Sequence, residues 1–239
     1  VSDIYCTVIL IKKSRILSLN PGHIRISGEY EKQILGIGIP AAIMSIVQSL
    51  SVILLNQFLL PYGNIEIAAM GIAMKTVSIV NLVLIGLAYG GQPLFGYFFG
   101  ARDRKKLKEL TRFNVRISAG TAVILSGIVF AAAVPLIRFF MDDPQVVQSG
   151  SLMLRLQVVT MTFAGIVLLL TLIFQSAGKI GISFLLSVSR QGFIFFLVLF
   201  ASSRLWGYYG VLLSQAIADV LSFILAVILF YRCIYLKWK

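Results

Sequence analysis

An all-α, polytopic membrane helical bundle is the fold this sequence predicts, on three observations. Residues 34–231 form a nearly continuous apolar ribbon, cut into six pieces by short polar loops. Hydrophobic residues make up 59% of the chain and charged residues 13%, with mean hydropathy +0.94. A soluble domain of this size cannot hide that much apolar surface. The positive charge in the loops alternates from one side to the other, as it does where cytoplasmic loops retain lysine and arginine. The apolar runs show no period-two alternation, which favours helices over a β-barrel.

The elements follow in order. Residues 1–11 (VSDIYCTVILI) are apolar and run into Lys12, Lys13 and Arg15. A signal peptide has the opposite order, so this stretch reads as the end of a preceding transmembrane helix. With no initiator Met before it, the chain is expected to be the C-terminal part of a longer protein. Residues 12–33 carry Pro21 and Gly22 and are long for a bundle connector; they suit a cytoplasmic bridge between two lobes. A spanning helix needs about 20 mostly apolar residues, and such spans are expected at 34–60, 67–99, 113–140, 151–176, 180–203 and 207–231. The second is long enough to tilt or to project from the bilayer. Asp142, Asp143 and Pro144 stop the third. In the loop before it, Leu107, Leu110 and Phe113 recur at helical spacing among basic residues, which predicts a short helix lying on the inner leaflet. Residues 232–239 form a basic tail.

Charge and cysteine usage narrow the function classes. The chain has 21 Lys+Arg against 9 Asp+Glu, a net charge of +12. In a soluble protein that balance points to nucleic acid. Here the basic residues sit at membrane edges, where cytoplasmic retention and anionic headgroups explain them, so no nucleic-acid partner is expected. They fall before the first span, between the second and third, after the fourth and after the sixth, which places both ends in the cytoplasm of a plasma-membrane protein. Cys6 and Cys233 lie near cytoplasmic ends and are not expected to pair. His23 is the only histidine, and no CxxC or HExxH motif occurs, so neither a metal site nor a cofactor is expected.

Four ionisable residues interrupt the apolar runs: Lys75, Arg155, Arg190 and Asp219. Such groups usually face a cavity or a partner. Lys75 reads equally as a cavity residue or as a lysine reaching the outer headgroups, and Arg155 likewise. Arg190 and Asp219 read first as a structural ion pair between the fifth and sixth spans. A second, uncharged polar set comprises Gln48, Ser49, Ser51, Asn56, Gln57, Asn81, Gln92, Gln157, Gln175 and Gln215. Amides in spans either contact substrate or, more often, join helices. Gln48 and Asn56, eight residues apart, are expected to share a helix face that forms the cavity wall, with Lys75 and Gln175 as further candidates. Gly86 with Gly90 and Gly96 with Gly100 give two GxxxG pairs, expected to pack helices closely. Pro40, Pro93 and Pro135 should kink their helices. Tyr62, Trp206, Tyr208, Tyr209 and Trp238 suit interfacial anchors.

Several segments carry a family resemblance: GIPAAIMSIVQSLSVILLNQFLLPYG, the run from IAAMGIAMK to GLAYGGQPLFGYFFGARD, LIFQSAGK, SVSRQGFIFFLVLF and YYGVLLSQAIADVLSF. In order and spacing they resemble the C-terminal six-helix lobe of the multidrug and toxic compound extrusion (MATE) transporters. The most specific pieces are Gln92, Pro93, Gly96, Gly100 and Ala101, together with Arg190–Gln191. The resemblance covers nearly the whole chain. It implies one six-helix lobe of a twelve-helix antiporter that exports amphiphilic cationic small molecules in exchange for Na⁺ or H⁺, rocking between inward- and outward-open states. Residues 1–11 would end helix six of the missing N-terminal six-helix lobe, and 12–33 would link the lobes. Some branches of that family carry an acidic residue in the first or fourth helix of this lobe; neither span has one here. A carboxylate coupling site would then lie in the other lobe, or on Asp219.

Three other readings compete. A lipid-linked oligosaccharide flippase of the same superfamily needs a more cationic cavity, for which Lys75, Arg155 and Arg190 are available. A six-helix channel would want an NPA pair or a TVGYG-like filter, and neither occurs. A membrane enzyme would want a paired-carboxylate or Ser/His/Asp constellation in the spans, also absent from the sequence.

Overall fold

The computed structural model describes residues 28–235. The expectations for 1–11, for 12–27 and for 236–239, with Cys6, His23 and Trp238, lie outside the described residues, as does the side chain of Pro40. The chain divides into two units, Val1–Ile43 and Met44–Lys239. In the first, the described residues are helical. All packing and pockets below belong to the second.

Among the described residues every regular element is helical. Helix α1 spans Gly28–Leu59 and so begins inside the stretch expected to be linker. A 3₁₀ turn, Leu60–Tyr62, and Gly63 at φ 111° lead into α2, Asn64–Gly100. Helix α3 is Arg104–Ala131. Its N-cap is Asp103, whose carboxylate accepts from the Lys106 N–H at 3.0 Å. That cap corrects the expected inner-leaflet helix. Residues 104–112 are the opening turns of the third span, with no break before Phe113, and Leu107 is buried against Phe95 and Phe174 rather than laid on a membrane surface.

Helix α4 (Ala133–Phe140) is separated from α3 by one non-helical residue, Ala132. Pro135 explains the break, because its missing N–H and its ring both act on the carbonyl of residue 131. Helix α5 is Pro144–Val159, started by Asp143, which accepts from the N–H groups of Gln145 (2.8 Å) and Val146 (3.3 Å). Proline at the first helical position fits because that N–H has no partner anyway. Helix α6, Met161–Ser176, meets α5 at 45° across Thr160.

Helix α7 (Ile180–Val188), a π turn (Ser189–Phe193) and α8 (Ile194–Cys233) complete the chain. Within α8, Gly207 adopts φ 53°, ψ −127°, a backbone region suited to glycine alone. Ser202 Oγ donates to the Gly210 carbonyl at 2.8 Å. Residues eight apart lie about 12 Å apart along a straight helix, so the chain reverses at Gly207. By length and composition four helices are fit to cross a membrane, five with the bent α5–α6 pair, counting Ile180–Cys233 once. The reversal divides that last stretch into two arms.

Two apolar clusters hold the bundle. One gathers Leu55, Met70, Leu84, Ile137, Leu154 and Phe195; the other Phe95, Leu107, Ile173, Phe174 and Leu186. Helix α2 packs on α3, α5 and α6, while α6 also packs on α3, α7 and α8. Large apolar side chains remain on the outside, such as Phe139 (85% exposed) and Leu205 (73%), as expected where hydrocarbon is the solvent.

Candidate functional site

One pocket within the bundle collects half of the polar residues singled out in the apolar spans. It holds about 830 Å³ free of protein atoms, part of which opens to the surroundings. Helix α1 contributes Gln48, Ser51, Val52 and Leu55; α2 contributes Met74, Val77, Ser78 and Asn81. Both sets follow the i, i+3, i+4, i+7 rule of a single helix face. The bend at Thr160 brings Gln157 and Met161 into the same wall, with Ala164 behind them. The π turn supplies Arg190 and Gln191, and α8 supplies Phe195, Gln215 and Asp219.

Several of these polar groups are held in place. Ser51 Oγ donates to the Gln191 carbonyl, tying α1 to the π turn. Gln157 Nε2 donates to Met70 Sδ at 2.9 Å. Arg190 Nε donates to Asp219 Oδ1 at 2.8 Å, and Gln215 Nε2 donates to the same oxygen at 3.3 Å. The guanidinium and carboxylate side chains are 18% and 5% exposed, so the pair is largely buried within the bundle. Its charges cancel. What remains is a neutral pocket of amides, hydroxyls, two methionine sulfurs and one aromatic face, able to surround a molecule that is apolar in bulk and carries one charge.

Other expected cavity residues do not gather here. Asn56 stands outside the pocket because eight residues turn an α-helix about 80° past two full turns, enough to leave the face of Gln48. Lys75 follows Met74 and is turned about 100° away from the lining; it is exposed. Gln175 lies in the last turn of α6, about 20 Å along the axis from Met161, and is exposed. Arg155 neither lines the pocket nor reaches outward: Nε donates to the Phe130 carbonyl at 3.4 Å, and the guanidinium lies 5.4 Å from the Phe130 ring centre, beside the α3–α4 break. Gly86, Gly90, Gly96 and Gly100 do not pack closely within the described residues, since a Cβ at any of them meets nothing within 4 Å. Close approach occurs at Gly91 against Asn114, at Gly192 against Val47 and at Gly210 against the Ser202 carbonyl. Gln92 is half-buried and Pro93 exposed within α2, outside the pocket.

A second cluster, at the loop end of the bundle, has no counterpart in the sequence expectations. Glu66 accepts from Ser149 Oγ at 2.7 Å and from the Tyr208 hydroxyl, joining α2, α5 and α8. The Tyr62 ring meets Tyr208 edge-on at 5.2 Å. The only sequence signal was one acidic residue in an outer loop beside interfacial tyrosines.

Comparison with known proteins adds three findings. A family model described as MatE matches residues 40–201. The chain is similar to the multidrug export protein MepA of Staphylococcus saprophyticus, 28% identical over 97% of this chain and 51% of the relative. It is likewise similar to MepA of a Staphylococcus aureus strain, 31% identical over 95% of this chain and 50% of the relative. The chain thus spans about half the length of the curated relatives it matches. Among solved structures it superposes on the Vibrio cholerae MATE transporter VcmN in the bent form with TM-score 0.79, 17% identity, over 96% of this chain and 52% of that one. A MOP superfamily transporter from Pyrococcus furiosus gives TM-score 0.81 at 18% identity, over 94% and 51%. At these identities the likeness speaks for the fold alone.

Proposed function

This chain belongs to the MatE family, and from that premise we propose that it is the C-terminal six-helix lobe of a cation-coupled multidrug efflux antiporter working by alternating access. The observation that carries the reading is the neutral, amide-rich pocket with Asp219 as its one carboxylate among the lining residues. An amphiphilic organic cation suits that lining: its apolar bulk packs on Met74, Met161 and Phe195, the amide oxygens and hydroxyls face its charge, and an aromatic face adds cation–π attraction. The relatives' name, multidrug export protein, supports the same substrate class. The other lobe supplies the opposite wall, and Na⁺ or H⁺ is the coupling ion of the whole transporter. The protein sits in the plasma membrane with the basic loops toward the cytoplasm.

A flippase for pyrophosphate-linked lipids fits less well. Of the three cations it would draw on, Lys75 and Arg155 lie outside the pocket, and Arg190 is neutralised by Asp219.

The test is ethidium accumulation in cells producing residues 1–239 alone or together with the N-terminal lobe. Cells with this lobe alone are expected to retain as much dye as empty-vector cells, and cells with both lobes less. Export by this lobe alone would overturn the half-transporter reading.

A further inference from the structure

The Arg190–Asp219 pair has a geometry that a purely structural brace does not require. Asp219 is 4% exposed and lines the pocket from α8. Among the described residues both of its hydrogen bonds fall on Oδ1, from Arg190 and Gln215, and none is seen on Oδ2. An arginine locked onto a carboxylate typically forks, with two parallel N–H bonds. Arg190 instead uses Nε, and no other hydrogen bond from its guanidinium is seen among the described residues. It also stands on the π turn Ser189–Phe193, a local widening of the helix frequently found at functional sites.

Electrostatics then sets the consequence. An empty pocket with this pair is neutral. A bound monocation makes it carry one net positive charge whichever cation faces Asp219, and the ligand is stabilised only where it can approach that carboxylate. Asp219 is the one carboxylate in the lining, and Arg190 already occupies it. Ligand and guanidinium therefore compete for one anion.

We propose that Asp219 anchors an organic monocation and that Arg190 is a tethered occupant of that anchor, displaced when the ligand arrives. The inference rests on the reading of this pocket as a cation site and adds the residue pair that makes binding competitive. No covalent step is involved; one ion pair replaces another, and the freed guanidinium turns to the amide oxygens of the same lining, to which Gln48, Asn81 and Gln191 belong.

The experiment titrates tetraphenylphosphonium into the detergent-purified chain and its variants. Wild type binds. Arg190→Gln removes the competitor, and Kd is expected to fall about tenfold. Asp219→Asn raises Kd at least about tenfold. The double variant R190Q/D219N, in which no buried charge is left unpaired, melts close to wild type yet binds as poorly as Asp219→Asn. An unchanged or raised Kd for Arg190→Gln, with Asp219→Asn still impaired, overturns the competition and leaves the cation site standing. No binding to wild type at millimolar ligand overturns both. If Arg190→Gln does not fold, wild type decides the matter through phenylglyoxal modification of Arg190, read by mass spectrometry against the loop arginines. Saturating tetraphenylphosphonium is expected to raise the Arg190 rate several-fold, and an unchanged or lowered rate overturns the inference.

Discussion

Three helices converge on the Glu66 side chain, since it accepts from Ser149 on α5 and Tyr208 on α8 while standing on α2. Glu66→Ala leaves two donors unmatched, and the cost is expected at about 1–3 kcal/mol, read as a lowered melting temperature in detergent. Tyr208→Phe, which removes one donor only, should cost less. At this scale the sequence was legible where chemistry clashed with surroundings. Arg190 and Asp219 stand out because ions in apolar runs demand a partner, and they are each other's. Gln48 belongs to the pocket, but Asn56, Lys75 and Gln175 do not, because membership depends on the rotation and height of each side chain about its helix axis. Polar identity alone carries neither. Arg155 shows the same limit: its partner is a backbone carbonyl near a proline-induced break, and no residue letter marks that.

Elements were legible in number and order, and less so in their interruptions. Pro135 and the acidic stops before Pro144 announced a break and a start. The bend at Thr160 had no proline or glycine to announce it. Its hydroxyl donates back to the Gln157 carbonyl at 3.3 Å, a local bond that competes with the helix ladder and bends it. Thr160→Ala is expected to slow amide hydrogen exchange across residues 158–164, measured by mass spectrometry; unchanged exchange would assign the bend to packing. The glycines divide in a way the GxxxG pattern did not foresee. Gly210→Ala drives a Cβ into the Ser202 backbone carbonyl and should destabilise by roughly 3 kcal/mol or more. Gly96→Ala meets open space and should be neutral, or stabilising by up to about 1 kcal/mol from helix propensity. Melting temperatures of the two variants test the contrast directly.

For the whole molecule, the apolar ribbon fixed the class, because a bundle whose outer surface carries Phe139, Leu205 and Tyr97 has no stable form in water. The chain is expected to run as a single species in detergent and to precipitate when detergent is removed, by size-exclusion chromatography. The loop charges predict an orientation with the basic side in the cytoplasm. In intact cells of a variant lacking native cysteines, a cysteine at Asp142 should react with an impermeant maleimide, and one at Lys105 only after permeabilisation.

The mutual cancellation of Arg190 and Asp219 also has an electrical meaning. With no ligand bound, the pair adds no net charge to this pocket. On the proposed reading, a bound monocation adds one elementary charge, worth about 2.3 kcal/mol per 100 mV if it crosses the full field. On the proposed reading, voltage acts through the cation the pocket holds and not through the pair itself.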